Sequence, residues 1–134
     1  MGVPSFCGTA AETACGAAIA PAMDELRRST RSLESIRQLA GPEPRLLPRL
    51  EQRLVMGKLE IAAITPPVEL QPAHELLAAA FQMARRAATG RRNAVSSGNM
   101  TLAWEASSAA AGALMMLERA AQELDRLTAP PSNR

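Results

Sequence analysis

The last third of the chain places Ala103, Ala106, Ala110, Ala113, Leu117, Ala120, Leu124 and Leu127 at alternating spacings of three and four residues. That spacing holds small and apolar side chains on one stripe of an α-helix and leaves little else the segment can become. The same rhythm recurs in three earlier segments. It reads Cys15, Ile19, Ala22, Leu26, Ser29, Leu33, Ile36 and Ala40 in the first, Leu47, Leu50, Leu54, Gly57, Ile61 and Ile64 in the second, and Leu70, Ala73, Leu77, Ala80, Ala84 and Ala87 in the third. A helix with one apolar stripe must bury it against another element. Four such helices within 134 residues predict one all-α domain, an antiparallel up-down-up-down four-helix bundle. β-Branched residues are scarce and no segment alternates apolar with polar, so no sheet is expected.

Proline and glycine divide the stripes. Pro21 falls inside the first and predicts a kink or split there, because proline lacks the N–H a helix interior needs. Gly41-Pro42-Glu43-Pro44 separates the first helix (about 10–40) from the second (about 48–64), and Thr65-Pro66-Pro67 separates the second from the third. Ser96-Ser97-Gly98-Asn99 supplies the last turn, with Asn99 as N-cap of a helix that runs to Thr128 before Pro130-Pro131. Thr9 and Glu12 read as a capping box for the first helix. Residues 1–8 and 129–134 read as a flexible leader and tail around one domain spanning 9–128. Short connections favour antiparallel neighbours.

Composition narrows the function classes. About a fifth of the residues are alanine and only 2% are aromatic, so the helices can approach closely or leave room between them. A net charge of +2, without interleaved aromatics, argues against a nucleic-acid partner. No apolar run is long enough to span a membrane, and the N-terminal residues match neither a signal peptide nor a myristoylation signal. The expectation is a soluble, cytoplasmic protein, or a secreted one from which a signal has been removed. Cys7 and Cys15 would lie about 12 Å apart on a continuous helix, beyond disulfide reach, whereas a coil at Cys7 would leave a bridge open.

Diagnostic chemistry is sparse. His74 is the sole histidine, with no Glu-x-x-His repeat and no Cys-x-x-Cys-His, so neither a metal nor any other cofactor is expected. No Gly-x-Ser-x-Gly and no phosphate-cradling glycine loop occurs. Arg53, Lys58 and Glu60 have the polarity for an anionic substrate but no diagnostic spacing. A bundle topology would gather Arg37, Arg45, Arg49, Arg53, Arg85, Arg86, Arg91 and Arg92 at one end against Glu34, Glu43, Glu51 and Glu105. The third and fourth helices also outrun the second, so their shared tip would carry Arg85, Arg91, Arg92, Val95, Met100 and the only tryptophan, Trp104.

Two functions follow as expectations. The first is a non-enzymatic bundle acting through protein contacts at that tip, with a protein partner or a second copy of itself. The alternative is a carrier or sensor of a small apolar ligand, held where Ala22, Ser29, Gly57, Ala80, Ala84, Ala106 and Ala110 leave space between helices.

Overall fold

The computed structural model describes the backbone of residues 10–128 and the side chains of residues 16–127. Five α-helices and no strand occur among the described residues. They are α1 (Ala10–Arg28), α2 (Thr30–Arg37), α3 (Leu47–Ala62), α4 (Gln71–Ser97) and α5 (Met100–Thr128). Short 3₁₀ turns at Pro44–Leu46 and Val68–Leu70 lead into α3 and α4. Residues 1–9 and 129–134, together with the capping-box side chains and both cysteine thiols, lie outside the described residues.

The first stripe departs from expectation. α1 continues as helix through Pro21, and the interruption falls eight residues later at Ser29. Pro21 is exposed, as is Ala17, the residue whose carbonyl loses its partner, so water can take the place of the missing donor. At the observed break, Ser29 Oγ donates to the Glu25 carbonyl at 2.9 Å and Thr30 Oγ1 donates to the Leu26 carbonyl at 3.3 Å. Two successive hydroxyls thus compete with backbone N–H groups for the carbonyls of the preceding turn, which bends or breaks a helix. The exit from α2 also shifts. The helix ends at Arg37, before Gly41, and Leu39 takes the left-handed conformation at φ 62°. Gly41 precedes Pro42, a position where helical backbone angles are disfavoured, so the chain reverses before it.

α4 and α5 share the most extensive contact of any pair, joined by a two-residue turn. Gly98 adopts φ 66° and its N–H bonds the Ala94 carbonyl, closing α4 as glycine does at a helix C-terminus. Asn99 Oδ1 then accepts the Leu102 N–H at 3.2 Å, the N-cap expected from the sequence. The stripe alanines of the two helices, Ala80, Ala84, Ala87, Ala106, Ala110 and Ala113, are all buried. At Gly90 a methyl would already stand 3.2 Å from Ala106 Cβ, which measures how near the two backbones run.

α1, α2 and α3, with Leu77 and Phe81 of α4, supply the bulk. Leu26, Leu33, Ile36, Leu50, Leu54, Ile61, Leu77 and Phe81 are fully enclosed in one cluster. Partners along α3 and α4 follow opposite order: Glu51 meets Thr89 and Arg92, Lys58 meets Gln82, and the Ile61 carbonyl accepts from His74 Nε2 at 2.8 Å. α2 is tied to α5 by Ser107 Oγ donating to the Arg37 carbonyl at 2.6 Å. α1 lies on α3, where Arg53 Nε stands 3.6 Å from Glu25 Oε2.

Two glycines make opposite predictions. A Cβ on Gly57 would overlap the ring of Phe81, which is enclosed and has nowhere to move. A Cβ on Gly112 would meet only the thioether end of Met83, which can swing away. Gly57→Ala is therefore expected to lower stability by roughly 1–3 kcal/mol despite its gain in helix propensity. Gly112→Ala should be neutral or stabilising by up to about 1 kcal/mol. Urea unfolding of the two variants beside the parent protein measures both effects.

Candidate functional site

Around the turn between α4 and α5, the residues expected to meet a partner differ in their surroundings. Val95, Met100 and Trp104 are 41%, 60% and 59% exposed, on either side of the turn at Gly98-Asn99. The stripe itself stays covered to its end, since Ala94 and Ala103 are both buried. The three larger side chains therefore extend outward from a closed Ala-lined seam. Met100 and Trp104 are four apart on α5 and share a face.

The arginines differ among themselves. Arg92 is not a free contact residue: its Nε donates to Glu51 Oε2 at 2.5 Å and its terminal nitrogen to Glu51 Oε1 at 3.2 Å. Thr89 Oγ1 adds a third hydrogen bond to Glu51, at 2.8 Å. Arg91 pairs with no carboxylate among the described residues, and its Nε is buried without a hydrogen-bond partner there. Arg85 is exposed. With Arg86, Lys58 and Glu105 it borders a groove on the outer side of α4.

Burial pushes the Glu51 carboxyl up, but the hydrogen bonds from Arg92 and Thr89 and the charges of Arg92 and Arg85 outweigh it, so its pKa falls below 4.5. The sequence shows no local sign of this clamp, because its members are 38 and 41 positions apart.

The small stripe residues proposed to line a cavity are packed instead. Ala22, Ala80, Ala84 and Ala110 sit in the core, Phe81 fills the space beside Gly57, and the buried Ser29 hydroxyl is used on its own helix. Ala106 borders an open surface groove, with Gly90, Leu102 and Ala109. A separate groove of about 300 Å³ lies between Ile19, Met23, Leu70, Leu124 and Leu127, with Asp24, Arg27 and Asp125 also on its walls.

The polar residues considered for chemistry do not converge. Arg53 turns to Glu25 on α1, Lys58 Nζ donates to Gln82 on α4 at 3.4 Å, and Glu60 is exposed. Arg45 pairs with Glu43 at 2.6 Å and Arg37 pairs with Glu34, so much of the basic end is internally compensated. His74 joins the end of α3 to the start of α4 through the Ile61 carbonyl. Among the described residues no group of three or more His, Cys, Asp or Glu could hold a metal, and no helix is long and apolar enough to cross a membrane. Comparison of the chain with family models, curated proteins and solved structures gave no match.

The Glu51 clamp makes stability depend on pH in a defined direction. A carboxyl whose pKa is depressed on folding stabilises the fold above the unfolded value, near 4.5, and loses that contribution as pH falls through the lower folded value. Glu51→Gln should cost about 1 kcal/mol near neutrality, a modest figure because the Arg92 side chain is 48% exposed. The gap between variant and parent protein should narrow on going from about pH 6 to about pH 3. Urea midpoints at the two pH values provide the measurement, and a gap that widens in acid would contradict the assignment.

Proposed function

We propose that this protein is a non-enzymatic helical module that acts by protein contact through the α4–α5 tip. The observation that carries the reading is the exposure of Val95, Met100 and Trp104 together on a hairpin whose turn is fixed by Gly98 and Asn99. Tryptophan and methionine are favoured anchors at interfaces, and a capped helix hairpin loses little freedom when it binds. The filling of the space beside Gly57 by Phe81 favours this reading over a ligand held between the helices.

We further propose that the helices assemble as an up-down-up-down four-helix bundle, with α1 and α2 as one arm interrupted at Ser29. The opposed order of partners along α3 and α4, and of Gly90 with Ala106 and Met83 with Gly112 along α4 and α5, supports this arrangement. It sets the tip at one end of the bundle, level with the first turn of α3.

A photo-crosslinking amino acid placed at Trp104, and in a control protein at exposed Arg119, tests the contact in the native cells. The expected outcome is a discrete adduct from position 104 that is absent from position 119. Native mass spectrometry over a concentration series then separates a second copy from a different partner. No adduct at position 104, together with a monomeric mass throughout, would overturn the proposal. Trp104→Ala should leave stability within about 0.5 kcal/mol of the parent, since the side chain is largely exposed.

A further inference from the structure

Charge at the α4–α5 tip separates the occupants that could cover it. Three acidic residues at this end are each taken by a neighbour: Glu34 by Arg37, Glu43 by Arg45 and Glu51 by Arg92. The Glu51–Arg92 pair sets the first turns of α3 beside the last turns of α4, so Arg49 belongs to the same end. Arg49, Arg85, Arg86 and Arg91 make no ion pair among the described residues, and Glu105 is the one acidic residue of this end left to answer them. Glu105 borders the outer groove with Arg85 and Arg86, leaving Arg49 and Arg91 as the uncompensated cations nearest the turn.

Arg91 is the most informative of these. It stands four residues before Val95 on α4, and therefore on the same face. Its guanidinium is part-buried, with the Nε orphaned. A cation drawn partly out of water without a counter-charge is poorly stabilised, and guanidinium binds carboxylate in a charge-assisted, often bidentate geometry.

We infer that the tip receives an acidic segment of a different protein, with an apolar side chain packing on Val95, Met100 and Trp104 and a carboxylate meeting Arg91. The inference rests on the contact reading above and specifies the chemistry of its partner. A second copy fits less well: a two-fold contact brings identical surfaces together, which would set Arg91 near its own symmetry mate and concentrate like charge.

Trp104 is the only tryptophan in a chain with no tyrosine, so its emission reports directly on this surface. The probes are three synthetic helical peptides: one with leucines on one face and glutamates on the other, a twin with lysine for every glutamate, and a third with serine for every leucine. The acidic leucine peptide is expected to shift Trp104 emission to the blue and to bind at least about tenfold tighter than either of the others. Arg91→Gln should weaken the acidic peptide about five- to tenfold and leave the lysine twin unaffected. The paired substitutions Val95→Ser and Met100→Ser should weaken it while leaving the circular dichroism of the free protein unchanged. Equal binding of the lysine twin, or no response to the acidic peptide, overturns the inference. An emission shift driven by protein concentration alone also overturns it, by assigning the tip to a second copy, yet leaves the contact reading standing. Silence from all three peptides, joined to the absence of an adduct at position 104, removes both.

Discussion

The close approach of α4 to α5 is the constraint on which the rest of the molecule depends. Alanine offers little apolar area, so an alanine seam holds only when the backbones are near enough for their own atoms to make dispersion contacts. Gly90 against Ala106 shows that distance directly. Once α4 and α5 form a narrow pair, the volume of the core must come from elsewhere. Leucine and isoleucine from α1, α2 and α3 supply it, and Phe81 on α4 reaches into the gap that Gly57 leaves on α3. Lengthening one side of the seam by a methylene would separate the backbones and weaken every other alanine contact along it.

That same pair determines how the tip is presented. Where α4 ends and α5 begins, the turns are fixed by backbone chemistry instead of burial. Gly98 takes the left-handed angle that closes one helix, and Asn99 caps the next. A little below the turn, Glu51 fastens α3 to α4 with three hydrogen bonds. The exposed side chains therefore stand on backbone that is already ordered, and little conformational freedom is left to lose on binding.

What could be read in the sequence was local. The stripes, the proline-bounded turns and the Asn99 cap depend on residues within a few positions of one another, and they placed the helices to within a few residues. The break in the first stripe is not legible locally: Pro21 is the breaker the sequence offers, and Ser29 reads as one more member of the stripe. Phe81 sits one position off the Ala80–Ala84 stripe, so its place in the Gly57 gap was hidden. Arg92 read as a contact residue because its true partner is 41 positions away. Gly57 read as open space for the same reason: a missing side chain signals a cavity or a socket equally well until the facing residue is known.

The three apolar residues at the tip are not accounted for by the needs of the fold. Val95 and Trp104 each follow a buried stripe alanine by one position, and the stripe is already covered without them. Isolated exposed hydrophobics are ordinary on any protein, as Met115 is here. Val95, Met100 and Trp104 fall within ten positions on one capped hairpin, and Arg91, four residues before Val95, pairs with no carboxylate among the described residues. Their cost falls on solubility, because apolar area at an accessible end favours association. Like charge at the tip opposes that tendency between identical copies and favours an acidic surface, so on the proposed reading one set of arginines serves both ends.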